Sequence, residues 1–241
     1  MKLFVIGFGP GSAGGMTIDA CNAIQSCNVI YGYTAYTALI ESLFPGKTCI
    51  STGMRQEQER VRLALNAAQS RNCALVCSGD AELYGMAGLA FELSGAYPAA
   101  EIVVIPGVSA AFSGGALLGA PLTHDFAVIS LSDLLTPWET IRKRLVGAAM
   151  ADLTLVLYNP ASRRRTDHLK HACDLILPYR SPDTVCGLAT QIGREGERCR
   201  ILTLSELRDT QVDMFTTVFI GNSETTVIGG KMVTPRGYRH G

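Results

Sequence analysis

The sequence has no surplus of charge of either sign, because 21 lysines and arginines are balanced by 21 aspartates and glutamates. A protein that binds nucleic acid usually carries a basic surplus, since neutralised phosphates supply most of its affinity. The charge balance therefore argues against a nucleic-acid partner.

The eight cysteines lack the spacing of a metal site. None forms a Cys-x-x-Cys pair, and no histidine stands at zinc-ligand spacing from a pair of cysteines. Cys73 and Cys77 flank the apolar run Ala74-Leu75-Val76, where free thiols behave as small core residues. We therefore expect no metal ion, reduced cysteines and a cytoplasmic protein.

Long uninterrupted hydrophobic runs are also scarce. The apolar run at the N-terminus stops at Gly7, which is too early for the core of a signal peptide. The stretch 102–123 lacks charges and has the length of a membrane span, but prolines and glycines interrupt it. We interpret this stretch as a buried strand, a turn and a buried helix, and expect no membrane association.

What the chain does contain is an alternation of short apolar runs and longer helical patterns. Up to residue 105 this alternation favours a mostly parallel sheet covered by helices on both faces. A break near Gly119-Ala120-Pro121 precedes a second half that ends in short strands joined by turns. The pattern predicts an α/β fold with two α/β domains, 1–120 and 121–241, the second built on a mixed sheet.

Three turns that contain glycine follow predicted strands, at Gly7–Gly11, Ser78–Asp80 and Pro106–Ala110. In a parallel sheet such turns meet at the carboxyl ends of the strands, where ligands bind. A dinucleotide-binding fingerprint is disfavoured, because Ser12 stands where its last glycine would be. Pro10 also removes a backbone N–H that a phosphate cradle would use.

The polar residues of these turns have two interpretations each. Asp80 would accept hydrogen bonds from a ligand or attract a cation, or it would cap a helix. Ser109 would likewise contact a cofactor or cap the helix that follows it. The two interpretations stay open for each residue taken alone.

The segment 124–138 concentrates further polar residues around the only tryptophan. His124 and Asp125 are candidates for acid–base catalysis. Ser132, Asp133 and Thr136 are the residue types that would cap a helix beginning at Pro137, and we interpret them as caps.

Arginines are concentrated at two places, Arg163-Arg164-Arg165 and the C-terminal Arg236 and Arg239. Such residues are usually solvated surface. They would also pair with the carboxylates of an acidic ligand, for which the guanidinium geometry is suited.

Taken together, these motifs resemble the tetrapyrrole (corrin/porphyrin) methylase family, and the match covers nearly the whole chain. The segments that carry it are Gly7–Gly11, Ser78-Gly79-Asp80 with Leu83-Tyr84-Gly85, Pro106–Ala110, His124–Trp138 and Leu155–Asn159. The long His124–Trp138 block is more specific than any of the glycine motifs.

The resemblance implies a two-domain, homodimeric α/β methyltransferase with its active site in the cleft between the domains. It implies S-adenosylmethionine (SAM) as methyl donor, held by Pro10, Gly79, Asp80, Leu83, Ser109, Ala110 and Asn159. The implied substrate is a corrin precursor on the way to vitamin B12, methylated at carbon with contraction of the ring. We expect a metal-free macrocycle first and its cobalt-containing counterpart as the alternative.

Two roles follow from this substrate. His124 and Asp125 would manage protons during the contraction, and Arg163, Arg164, Arg165 and Arg236 would bind the carboxylates on the rim of the macrocycle. A non-catalytic tetrapyrrole-binding protein is the alternative of another class, because it would share the pocket without using SAM.

Overall fold

A computed structural model describes residues 1–162 and 165–238, which fall into two compact units. The first unit, Met1–Ser109, alternates strands with helices. Its elements are β1 (Lys2–Gly7), α1 (Ile18–Ser26), β2 (Val29–Tyr33), α2 (Thr34–Leu43), β3 (Thr48–Thr52), α3 (Glu57–Ala68), β4 (Cys73–Cys77), α4 (Ala87–Leu93) and β5 (Glu101–Ile105).

The five strands of the first unit form one parallel sheet in the order β3-β2-β4-β1-β5. Helices α1 and α2 pack Ile24 and Ile40 against one face of the sheet. Helices α3 and α4 pack Val61, Leu65 and Ala90 against the other face. Both faces are therefore buried, which explains why β4 is apolar at every position.

The second unit begins at Ala110. Its helices are α5 (Ala110–Leu118), α6 (Trp138–Met150), α7 (His168–Ile176) and α8 (Leu204–Arg208). Its strands are β6 (Gly119–Ala120), β7 (Phe126–Ser130), β8 (Thr154–Tyr158), β9 (Val185–Thr190), β10 (Arg198–Thr203), β11 (Thr216–Ile220), β12 (Thr226–Ile228) and β13 (Lys231–Val233).

The main sheet of the second unit has the order β10-β9-β11-β8-β7. Strands β7 and β8 are parallel, whereas β11 runs antiparallel to both β8 and β9. A small three-stranded sheet, β12-β13-β6, completes the unit. The prediction of an α/β fold with a parallel first sheet and a mixed second sheet is confirmed.

The two units divide after Ser109, earlier than the boundary after residue 120 that the sequence predicts. The reason is the packing of α5, whose Ala111 and Leu118 belong to one apolar cluster with Ala189 and Phe219 of the second sheet. Gly114 and Gly187 allow this close approach, because a Cβ on Gly187 would lie 2.6 Å from Leu118. Helix α5 thus belongs to the second unit.

The stretch 102–123 folds as interpreted, into β5, a turn and the nine-residue helix α5. Among the described residues, no helix combines the length and the apolar character that a membrane span requires. Cys73 and Cys77 are buried free thiols, as predicted.

Candidate functional site

The sheet order places the three glycine-containing turns of the first unit side by side. Strand β1 lies between β4 and β5, so the turns that follow these strands are neighbours at the carboxyl edge. The amide of Gly9 donates to the carbonyl of Gly79 over 3.0 Å, and the amide of Gly79 donates to the carbonyl of Gly9 over 2.8 Å. The prediction that the turns meet is confirmed for this unit.

Glycine is required where the turns touch. A Cβ on Gly107 would lie 2.2 Å from the carbonyl oxygen of Gly79 and 2.3 Å from that of Gly7. A Cβ on Gly7 would lie 2.7 Å from the same Gly79 oxygen. The close backbone approach at this edge therefore excludes any side chain at either position.

Asp80 joins two of these turns through its carboxylate. Oδ1 accepts hydrogen bonds of 2.9 Å from the amides of Glu82 and Leu83, and Oδ2 accepts one of 3.0 Å from the amide of Gly107. Partial burial opposes ionisation, but these backbone N–H donors outweigh it and hold the pKa of Asp80 below its usual value. Asp80 is thus a fixed negative charge that aligns the turns after β4 and β5.

Asp80 therefore acts locally as a cap, although the segment it caps is a turn. Helix α4 begins only at Ala87, and no side chain caps its first turn. Pro10, Gly79 and Leu83 belong to these same turns, and Ser109 follows Gly107 by two residues and is buried. Five of the seven residues expected to hold the cofactor therefore lie in this set of turns.

The other two, Ala110 and Asn159, belong to the second unit, where a hydrogen bond joins the residues next to them. The hydroxyl of Tyr158, at the end of β8, accepts a hydrogen bond of 2.8 Å from the amide of Ala111. Asn159 follows with a φ of 53°, in the left-handed region that asparagine tolerates. Its Nδ2 donates to Oγ of Ser130 over 3.0 Å, which ties the carboxyl ends of β7 and β8 together.

The capping interpretation of Ser132, Asp133 and Thr136 is wrong. Helix α6 follows Pro137, and no side-chain hydrogen bond caps it. Asp133 instead pairs with His168, whose Nε2 lies 3.1 Å from Oδ2. Nε of Arg165 lies 3.9 Å from Oδ1 of the same carboxylate.

Sequence reasoning missed His168. It stands at the start of α7, far from Asp133 along the chain, and only the parallel pairing of β7 with β8 brings the two together. The hydrogen bond from His168, with the charges of His168 and Arg165, holds the pKa of Asp133 below its usual value. Trp138 packs its ring edgewise on His168 with centroids 5.0 Å apart.

His124 and Asp125 lie at the opposite end of β7, before its first residue. Both side chains are exposed, with Nδ1 of His124 3.8 Å from Oδ2 of Asp125. Arg236 is at this end too, since its Nη1 donates to the carbonyl of Thr123 over 3.0 Å. The structure does not bring this group together with Asn159 and Asp133, and the catalytic role of His124 and Asp125 stays a prediction.

Arg165 is largely buried and already engaged. Its Nε donates to Oγ of Ser162 over 3.2 Å and its Nη1 to the carbonyl of Leu131 over 3.4 Å. Arg163, Arg164 and Arg239 lie outside the described residues. Within residues 1–162 and 165–238, no three His, Cys, Asp or Glu side chains are grouped as a metal site would require.

The chain is an α/β protein with a parallel sheet that has turns at its carboxyl edge, and with a second α/β unit that has its own cluster at strand ends. In α/β proteins these are the positions where small ligands bind. The family model for the Tetrapyrrole (Corrin/Porphyrin) Methylases matches residues 2–208. The chain belongs to this family, and it is a methyltransferase.

Two curated relatives and one solved structure match along almost their full length. The chain is 46% identical to a probable cobalt-factor III C(17)-methyltransferase of Salmonella typhimurium, over 98% of this chain and 99% of the relative. It is 38% identical to a precorrin-3B C(17)-methyltransferase of a Sinorhizobium species, over 94% and 91%. The crystal structure of the methyltransferase CobJ superimposes with a TM-score of 0.89 at 33% identity, covering 97% of this chain and 99% of that one.

Proposed function

We propose that this protein transfers a methyl group from SAM to carbon 17 of a corrin precursor in cobalamin biosynthesis. The observation that carries the proposal is the similarity to C(17)-methyltransferases over nearly the full length of the chain. The chain also has the three glycine-containing turns side by side at the carboxyl edge of the first sheet. The cobalt-containing macrocycle is the favoured substrate, because the cobalt-factor III relative is more similar than the precorrin-3B relative.

The proposed cofactor site consists of Pro10, Gly79, Asp80, Leu83, Ser109, Ala110 and Asn159. The geometry of the turns supports this assignment, because Gly7 and Gly107 allow the turns that carry Gly79, Asp80 and Ser109 to pack side by side at one edge of the sheet. SAM would supply an activated methyl group on a sulfonium, so that no nucleophile of the protein is needed.

The work left to the protein is positioning, which contributes on the order of 7–11 kcal/mol in well-oriented reactions. Asp80 serves this purpose, since its three backbone hydrogen bonds align the turns after β4 and β5. Its charge would also favour a cationic sulfonium nearby.

The macrocycle is a polyanion around an apolar plane, because acetate and propionate groups line its rim. We assign its binding to Arg163, Arg164 and Arg165, which are adjacent along the chain, and to Arg236, which lies at the opposite end of β7. Each exposed arginine–carboxylate pair contributes roughly 0–1 kcal/mol, so binding should depend on several together and weaken as salt is added.

The experiment that tests the proposal is a methyl-transfer assay with purified protein, methyl-labelled SAM and each macrocycle in turn. Label should appear in a methyl group on carbon 17 of cobalt-factor III. The same product labelling is expected with precorrin-3B, but with a lower kcat/KM than for cobalt-factor III. A non-catalytic tetrapyrrole-binding protein would bind the macrocycle but would neither bind SAM in calorimetry nor transfer label.

Two further expectations belong to the same proposal. A homodimer predicts twice the chain mass in light scattering, and a cytoplasmic protein predicts recovery in the cytosolic fraction of cells that express it.

A further inference from the structure

Asp133 has no role in the function proposed above. It lies three residues beyond the end of β7, and its side chain is 35% exposed. Parallel strands present ligand-binding residues at this end, and β7 and β8 are parallel to each other. Asp133 therefore stands where a functional side chain is expected and remains accessible to a ligand.

Helix capping does not account for an aspartate here. It caps no helix, because α6 follows Pro137 without a side-chain cap. Its two partners come from one short segment at the start of α7, where His168 is 3.1 Å and Arg165 3.9 Å away. These are the charged groups that face it among the described residues. They keep the carboxylate ionised, as a proton acceptor must be before it acts.

Asp133 is also connected to the proposed cofactor site. The hydroxyl of Ser130 accepts hydrogen bonds from Nδ2 of Asn159 and from the amide of Ser132, over 3.0 and 3.2 Å. The residue before Asp133 is thereby tied to Asn159, one of the residues assigned to SAM.

The residues that follow Asp133 suit an apolar ligand. Leu134 is 59% exposed and Leu135 is 99% exposed, so two large apolar side chains stand in water beside a carboxylate. Exposed apolar side chains that lie next to one another offer a contact surface to an apolar ligand. A flat macrocycle with an apolar plane would cover both leucines and bring its carbon framework to Asp133.

We propose that Asp133 accepts the proton which the macrocycle loses as a consequence of carbon methylation. This inference rests on the proposed function. A new bond forms between the methyl carbon and the ring carbon as the sulfur–methyl bond breaks, and the macrocycle gains one positive charge. The bond to one proton of the macrocycle then breaks, its electron pair returns to the ring, and the carboxylate becomes a carboxylic acid.

His168 and Arg165 are positioning residues in this scheme. They orient the carboxylate and favour its charged form, and His168 is itself held by the edge of Trp138. Loss of His168 should leave the proton acceptor in place but make it easier to protonate.

The test compares Asp133→Asn with Glu139→Gln in the full-length protein. Glu139 lies in α6 and is paired with Arg142 at 2.7 Å, so the control also replaces an ion-paired carboxylate by an amide. The readouts are kcat and KM for label transfer to the macrocycle, SAM affinity by calorimetry, and the melting temperature. Asp133→Asn should lower kcat by at least about 100-fold, the usual minimum for a proton-transfer group, with SAM affinity unchanged. Glu139→Gln should match the wild type.

His168→Gln separates proton transfer from a purely structural role. It should keep kcat within a few fold at neutral pH, while the acid limb of the kcat profile moves to higher pH. A structural ion pair predicts instead that both variants lose melting temperature together and that the acid limb stays in place, and this result would overturn the inference. A kcat for Asp133→Asn within about 3-fold of the wild type would also overturn it while leaving methyl transfer intact. No transfer by the wild-type protein to either macrocycle would overturn the proposed function as well.

Discussion

Replacing Asp80 by alanine should loosen the turns of the first unit and weaken SAM binding together. The carboxylate accepts three backbone hydrogen bonds of 2.9, 2.9 and 3.0 Å, and the donors come from two different turns. A hydrogen bond to a charged group contributes about 1.5–3 kcal/mol, but these partly exposed amides regain some hydrogen bonding to water when Asp80 is removed. We therefore expect a net loss of about 2–4 kcal/mol, above the ~1 kcal/mol typical of a lost helix cap.

The pH dependence has a definite sign. The pKa of Asp80 is lowered in the folded protein, so its stabilisation is present above the unfolded value of about 3.9. This stabilisation is lost as the pH falls through the lower, folded value. Asp80→Ala should thus lower the free energy of unfolding at neutral pH. In the acid range, the free energy of unfolding of the variant should fall less steeply with decreasing pH than that of the wild type.

The assays are urea unfolding followed by circular dichroism, hydrogen exchange of the 81–84 and 107–109 amides, and SAM calorimetry. Glu82→Ala is the matched control, since Glu82 is an exposed neighbour on the same turn. Faster exchange in both segments with weaker SAM binding is the expected result. A loss of less than about 0.5 kcal/mol with exchange unchanged at 107–109 would refute the role of Asp80 as a link between the turns.

Three other predictions concern the packing of both units. Gly107→Ala places a Cβ 2.2 Å from a backbone oxygen and should lower the free energy of urea unfolding by about 1–3 kcal/mol. In Gly147→Ala, the control in α6, the Cβ meets nothing within 4 Å and should raise it by about 0.5–1 kcal/mol. Equal effects of the two substitutions would contradict the contact geometry. Arg60→Ala removes a buried guanidinium that donates to Oγ1 of Thr52 over 2.7 Å and to the carbonyl of Gly53 over 2.8 Å. It should lower the free energy of unfolding by about 2–4 kcal/mol, whereas Arg62→Ala, at an exposed position, should leave it unchanged. Burial raises the pKa of Cys73, Cys77 and Cys173 to about 12. A thiol reagent at pH 8 should therefore label the exposed Cys199 first, as measured by peptide mass spectrometry. Early labelling of Cys77 would contradict its burial.

Local pattern was sufficient to predict most elements of the fold. Apolar runs that precede the three glycine-containing turns predicted strands where β1, β4 and β5 form, because such runs are typical of strands in a parallel sheet. The meeting of the three turns followed from parallel pairing alone. These inferences depend only on short-range composition and on a general property of parallel sheets.

Non-local pairing explains what the sequence did not predict. Strand β6 has two residues and exists because Gly119 pairs with Met232, far along the chain. Helix α5 joins the second unit because Leu118 fits over Gly187, a contact that no local pattern reports. Asp133 has the residue type and position of a helix cap, and only its distance to His168 shows a different use.

The central claim is that this chain methylates a corrin precursor at carbon 17 with SAM as donor. The most direct measurement is nuclear magnetic resonance of the product formed from cobalt-factor III and SAM labelled with carbon-13 in its methyl group. We expect one enriched methyl signal whose protons correlate with carbon 17, together with stoichiometric S-adenosylhomocysteine. Enrichment at another ring carbon, or no transfer to either cobalt-factor III or precorrin-3B, would contradict it.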